Sequence, residues 1–190
     1  MDSIARLMSV GRITYDKDLN SSHSGNISFR ASDGSIHITR RGSMLGFLTE
    51  GDVIRVEAGG EHPQASRELP VHRAIYDANP SVGAVVHVHA LHATVLSTFH
   101  DEILPADAEG RYYLPRIPVL ECANPIGSDE LAAGVSSILQ QQHAVIVRSH
   151  GVFAAGRDLD EALLYASCTE SICRILYMTA HYQQRSQPCE

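Results

Sequence analysis

The run Ala84-Val85-Val86-His87-Val88-His89 constrains this chain more than any other stretch. An apolar, β-branched segment of this length reads as a strand with a buried surface. Side chains alternate faces along a strand, so His87 and His89 project from the same face. A strand end that offers two imidazoles to one point suits a metal, because neutral imidazole is a common ligand for zinc and similar divalent ions. On the pair alone, two structural histidines and two ligands are equally good readings.

The segments around that strand predict an α/β fold. Residues 2–17 carry Ile4, Leu7, Met8 and Ile13 at helical spacing. Ile27–Arg30 and Ile36–Thr39 alternate like strands around the turn Ser32–Ser35, and Val53–Val56 is a third short strand. Glu68–Ala78 suits a helix stopped by Asn79-Pro80, and Leu91–Phe99 a helix after the histidine strand. Ile117–Leu120 and Ala144–Val147 read as further strands, the latter running on to Arg148-Ser149-His150-Gly151. Ser128 suits the N-cap of a helix to about Gln142, with Asp129 and Glu130 at its positive end. Asp158 with Glu161 resembles a capping box for a last helix to about Tyr182. Short spacings early and irregular alternation later predict a mixed or antiparallel sheet covered by helices.

The 190 residues suit one domain, 1–190, or a compact subunit of an oligomer. A net charge of −7 disfavours nucleic acid or an anionic membrane as partner, while local arginines leave room for a small anionic substrate. No apolar run approaches a membrane span, and the first residues lack a signal core. Cys122, Cys168, Cys173 and Cys189 form no CxxC pair and read as reduced thiols of a cytoplasmic protein. Neither a GxGxxG nor a GxxxxGK[ST] pattern signals a nucleotide site.

Three further groups of residues could carry chemistry. His150, followed by Gly151, is the best third ligand, and three histidines would leave an open coordination position typical of catalytic zinc. His92 suits a helix surface or a supporting role better than ligation. Glu68 at a helix start is usually a dipole-compensating residue, but beside a metal it is a plausible general base. Ser24-Gly25-Asn26-Ile27-Ser28 and Thr39-Arg40-Arg41-Gly42-Ser43 are ordinary turns when taken singly. Backbone N–H groups at such turns also cradle phosphate, and arginine adds a clamp.

Taken in order, Gly25-Asn26-Ile27-Ser28, Ile38-Thr39-Arg40-Arg41-Gly42, Ser66-Arg67-Glu68 with His72 four residues on, His87-Val88-His89-Ala90 and His150-Gly151 resemble the class II aldolase family of the fuculose-phosphate aldolase and ribulose-phosphate 4-epimerase type. The likeness runs from about residue 5 to 178. It implies a three-layer αβα sandwich with a largely antiparallel central sheet, and a homotetramer with sites at subunit interfaces. By that resemblance His87, His89 and His150 hold Zn2+, with Mn2+ or Co2+ as other candidates. Glu68 is the acid/base carboxylate, and Asn26, Gly42 and Ser66 are phosphate-binding positions. The implied activity is cleavage of a ketose 1-phosphate to dihydroxyacetone phosphate and an aldehyde, with zinc stabilising the enediolate.

The chain departs from the family pattern at several positions. Arg41 stands where a threonine or serine is usual, and Arg67 replaces a second serine before Glu68. Both suit a phosphate clamp or an acidic substrate, and a structural salt bridge nearly as well. Glu109, with Tyr112 and Tyr113 close by, occupies the region where the aldolases place a tyrosine at a neighbour's site. Tyr182 is a further candidate for that role. Alternatives on the same scaffold are a decarboxylase of a 3-oxo-4-phospho sugar acid, a pentulose-phosphate epimerase or dehydratase, and a non-catalytic adducin-like module.

Overall fold

The computed structural model describes residues 3–185. Cys189 lies outside that range. Helix α1 (Ser3–Asp16) leads into the hairpin β1 (Asn26–Arg30) and β2 (Ile36–Thr39). After 3-10 turns at Leu45–Phe47 and Glu50–Asp52 come β3 (Val53–Val56), α2 (Leu69–Ala78), β4 (Ala84–Val88) and α3 (Leu91–Ser97). There follow β5 (Glu102–Ile103), α4 (Ala108–Tyr113), β6 (Ile117–Leu120), α5 (Asp129–Ile138), β7 (Ala144–Val147), β8 (Gly151–Gly156) and α6 (Leu159–Arg185).

The strands form one eight-stranded sheet in the order β3-β2-β1-β4-β8-β7-β6-β5. Every pairing is antiparallel except β6 with β7. The central strands are buried on both faces, so the two-residue period shows in the partners rather than in polarity. Ala84, Val86 and Val88 of β4 join Val152 and Ala154 of β8 in a core with α1, α3 and α6. Val85 joins Phe153 and Ala155 in a second core with α2 and α5. The result is the expected three-layer αβα sandwich with a largely antiparallel sheet.

Several helix ends follow from side-chain chemistry. Ser128 accepts the Leu131 N–H at 3.0 Å and Asp107 accepts the Gly110 N–H at 2.7 Å. Asp158 accepts the Glu161 N–H at 2.9 Å, and the Glu161 carboxylate returns to the Arg157 N–H at 2.7 Å. The last helix therefore starts where the expected capping residues lie.

Several elements differ from the sequence-based expectation. The helix after Ser128 ends at Ile138 rather than near Gln142, with the Leu139 carbonyl taken by the Asn79 side chain at 3.5 Å. The helix from Leu91 ends at Ser97, two residues short of Phe99, where the hydroxyls of Ser97 and Thr98 turn back to carbonyls at 2.7 Å. Arg148-Ser149-His150 is a turn, not strand: the His150 N–H returns to the Val147 carbonyl, and Ser149 takes φ 59°. The strand that follows, Gly-Val-Phe-Ala-Ala-Gly, was not expected, because glycine and alanine are poor strand formers. Tertiary packing overrides that preference: β8 lies between β4 and β7, where small residues let α6 approach.

Gly151 shows how close that approach is. A Cβ there would collide with the Val88 carbonyl oxygen. Gly151→Ala is therefore expected to lower stability by about 1–3 kcal/mol through overpacking at the β4–β8 seam. A chemical-denaturation midpoint equal to that of the parent would contradict this reading of the seam.

Candidate metal centre and anion cleft

Most of the residues singled out in the sequence come from separate elements and meet at the ends of the central strands. His87 is the residue before last in β4, His89 lies just beyond the strand, and His150 sits in the β7–β8 turn. The register pairs His87 with Phe153 and Val88 with Val152, which brings the turn alongside the end of β4. The ring centroids of His87, His89 and His150 are 4.8–4.9 Å apart in all three pairs. Their donor nitrogens lie within 4.8 Å of one another, a group that could hold a metal ion.

The surroundings fix the state of these rings. His87 Nδ1 lies 2.9 Å from the Val152 carbonyl, so it carries the proton and leaves Nε2 with a lone pair. His87 Nε2 is 3.1 Å from His89 Nε2. Two nitrogens each about 2.0–2.1 Å from one zinc ion are separated by about 3 Å, so a shared cation fits this spacing. Burial pushes the His87 ring well below its ordinary proton affinity, and the neighbouring imidazoles add to the shift. Burial, with a contribution from His89, lowers His150 to about 4, and burial lowers His89 too. Neutral rings with inward lone pairs are what a metal needs. The Pro125 carbonyl opposes the His150 shift, and so favours a proton on one of that ring's nitrogens.

Local packing supports each ligand. His87 is stacked on Phe153 with centroids 4.0 Å apart. The His89 N–H is held by Asn20 Oδ1 at 3.0 Å. The strained Ser149, beside His150, donates its N–H to Ser97 Oγ at 3.0 Å. Arg148 anchors the same turn through the Ser97 carbonyl and Asp101, both at 2.5 Å. His92 does not join the group. Its Nδ1 pairs with Glu170 at 2.6 Å, while the Glu170 carboxylate also caps the first turn of α3 through the His92 and Ala93 N–H groups.

Glu68 occupies the N-cap of α2 without capping it. It is buried, and desolvation raises its carboxyl to about 7, opposed only by the Gly127 N–H. Its Oε2 is buried without a partner among the described residues. Gly127 itself takes φ +59°, and a Cβ there would sit 2.6 Å from the Arg67 carbonyl oxygen. The loop before α5 is thereby pressed onto Glu68, a contact that no sequence motif announced.

A cleft of about 180 Å³ joins these groups. Its walls carry His87, His89, His150 and Glu68 together with Asn26, Arg41, Gly42, Ser66 and Arg67. All three expected ligands, Glu68 and all five expected phosphate-site residues therefore line one cavity. His23 and Ile126 line it as well, and only the histidine could have been guessed from residue type. Gly42 takes φ +73° with nothing within 4 Å of a Cβ, so its backbone is open to the cleft. Arg40 is committed to Asp52 at 2.5 Å, whereas Arg41 and Arg67 make no ion pair or side-chain hydrogen bond among the described residues. The structure therefore does not place either arginine in a salt bridge. Glu109, Tyr112 and Tyr182 are not in this cleft. Glu109 lines a different hollow with Asp107 and Cys168, and Tyr112 is 80% exposed.

Residues 5–177 match the family model described as Class II Aldolase and Adducin N-terminal domain. The chain belongs to this family. The L-fuculose phosphate aldolase of Methanococcus maripaludis strain C7 is 32% identical over 181 residues, covering 94% of this chain and 97% of that protein. The crystal structure of L-fuculose-1-phosphate aldolase from Thermus thermophilus superposes with a TM-score of 0.91 at 31% identity, covering 98% and 97% of the two chains. YgbL from Klebsiella pneumoniae, described as a putative aldolase/epimerase/decarboxylase, gives a TM-score of 0.85 at 25% identity, covering 93% and 88%.

The depressed histidines carry a pH prediction. His72, fully buried on α2, is lowered to about 3 by desolvation, from an ordinary 6.5. His72, His87 and His150 bind protons more weakly folded than unfolded. Their contribution to stability is complete above about pH 6.5 and is lost as pH falls toward 4 and below. The denaturation midpoint is expected to drop steadily between pH 7 and pH 4.5. A midpoint that is flat or rises on acidification would contradict neutral burial of these rings.

Proposed function

We propose that this chain is a divalent-metal-dependent aldolase that cleaves a ketose 1-phosphate to dihydroxyacetone phosphate and an aldehyde. The observation that carries the reading is one cleft lined by three neutral histidines, a desolvated carboxylate and two arginines without ion pairs among the described residues. Fuculose-phosphate aldolase relatives at about this length support the same class. His87, His89 and His150 would hold the ion, with zinc suited to three imidazoles and an open position, and Mn2+ or Co2+ as alternatives. A bound ion would supply Lewis-acid stabilisation of the charge that develops on the ketose carbonyl oxygen.

The protein groups divide the remaining work. Asn26, Ser66 and the backbone at Gly42 would orient the phosphate, assisted by Arg41 and Arg67 and by the start of α2. Glu68, raised to about 7 by burial, is a stronger base than an exposed carboxylate and is matched to neutral pH. It would carry the proton at the dihydroxyacetone-phosphate carbon.

We further propose that the cleft is completed by another copy of the chain, in a homotetramer. At about 180 Å³ it is smaller than the few hundred Å³ of an enclosed ligand pocket. Glu109 and Tyr112 lie outside their own chain's cleft, so a role for them at the aldehyde end requires a neighbour's site. Leu91 and Val95 on α3 and Phe99 just beyond its end are exposed apolar side chains, a patch that suits self-association. Among the described residues no helix is long and apolar enough to cross a membrane, and a cytoplasmic enzyme remains the proposal.

A second reading is decarboxylation of a 3-oxo-4-phospho sugar acid. It is favoured by the two free arginines and by the likeness to YgbL. A panel of ketose 1-phosphates and phospho-sugar acids, assayed separately for dihydroxyacetone phosphate and CO2, separates the two. Dihydroxyacetone phosphate without CO2 is expected, and CO2 alone would reverse the order of the readings. Glu68→Gln is expected to retain the metal and lose at least about 10²-fold in turnover, the usual range for a lost acid/base group. An unchanged rate in this variant would remove Glu68 from the mechanism.

A further inference from the structure

Behind Asn26 runs a line of buried polar side chains that the proposed chemistry does not use. Asn26 and Ser28 are two apart on β1 and share a face, while Glu68, His72 and Tyr76 are four apart along α2. The helix lies on that face of the sheet, so the two patterns interlock. Tyr76 Oη is 2.6 Å from Ser28 Oγ, Ser28 Oγ is 2.7 Å from His72 Nδ1, and His72 Nε2 is 2.6 Å from Asn26 Oδ1. Ser28 and His72 are wholly buried, and Tyr76 is 1% exposed.

A neutral imidazole has one donor and one acceptor, so the line can run in only one of two senses. In the first, Tyr76 donates to Ser28, Ser28 donates to His72 Nδ1, and His72 Nε2–H donates to Asn26 Oδ1. Each hydroxyl and ring proton then has an acceptor, and the Asn26 NH2 is left to the cleft that Asn26 lines. In the reverse sense Ser28 donates to Tyr76, whose own hydroxyl proton has no acceptor among the described residues. The Val85 N–H interacts with the same phenol oxygen and adds a second donor there. An unsatisfied buried donor is costly, so the first sense prevails.

We infer that Tyr76, Ser28 and His72 are positioning residues: a buried one-way relay that fixes the Asn26 amide with its NH2 toward the cleft, as a dedicated donor to the substrate's phosphate. The inference rests on the proposed phosphate site. Without the relay the amide is free to present its oxygen, which repels an anion, for part of the time. Asn26 pairs with His87 in the β1–β4 register, but no side-chain hydrogen bond among the described residues joins the relay to His87, His89 or His150, so its effect falls on binding of the phosphate rather than on bond cleavage.

The test uses inorganic phosphate and the metal-loaded full chain. Phosphate affinity, KM, kcat, metal content and thermal midpoint are measured for the parent, His72→Leu, His72→Gln and Tyr76→Phe. His72→Leu is expected to weaken phosphate binding and raise KM about tenfold, the size of one hydrogen bond to a charged group, with kcat and metal content kept. His72→Gln restores a donor near the Nε2 position and is expected to recover most of that loss. A merely structural role would lower the thermal midpoint without this KM-against-kcat split or this rescue. Unchanged phosphate affinity in His72→Leu, or glutamine no better than leucine, overturns the relay. If His72→Leu does not fold, Tyr76→Phe carries the test: a rise of about threefold or more in KM supports the relay, and none overturns it. A parent protein that binds no phosphate, whatever the variants do, instead overturns the phosphate site itself.

Discussion

The pairing of β4 with β8 is the interaction on which the rest depends. Its register sets His87 against Phe153 and leaves the β7–β8 turn beside the end of β4. That register brings His150, more than sixty positions away in sequence, to ring-contact distance of His87 and His89. A slip of one residue would send His87 to the opposite core and dissolve the group. The sheet centre is apolar on both faces, so such a slip would also exchange the two cores around α6 and α2, and the packing therefore holds the register.

Polar groups in this molecule are placed at the ends of apolar strands and tied down from behind. Phe153 and the Val152 carbonyl fix His87, Asn20 fixes the backbone of His89, and Ser97 and Arg148 fix the turn that carries His150. Glu68 is the exception, since only Gly127 meets it and one carboxylate oxygen is left bare. A buried acid with an unused oxygen beside three neutral imidazoles is a costly arrangement for a fold alone. Its cost is consistent with a site kept for chemistry.

Much of this was legible in the sequence where local rules apply. The strand starting at Ala84, expected to His89 and ending at Val88, the capping residues Ser128 and Asp158, and the shared side of His87 and His89 all follow from period and cap chemistry. The αβα architecture and the meeting of Asn26, Gly42 and Ser66 with the histidines came instead from the order of short motifs. β8 stayed hidden because its glycines and alanines are chosen for close approach, not strand propensity. The Gly127 contact on Glu68 and the line from Tyr76 to Asn26 were hidden for a related reason. Each joins residues from distant elements, and only the folded sheet shows that β1 and α2 present matching faces. The free state of Arg41 and Arg67 was likewise undecidable until their neighbours were placed.

The account stands on a metal held by His87, His89 and His150. Elemental analysis of protein purified without chelators measures this directly, alongside a His150→Ala variant. About one divalent ion per chain in the parent, with most of it lost in the variant, is the predicted result, because removing one of three protein ligands leaves too few to hold it. A parent protein with no stoichiometric divalent metal, or a variant that keeps full occupancy, would contradict it.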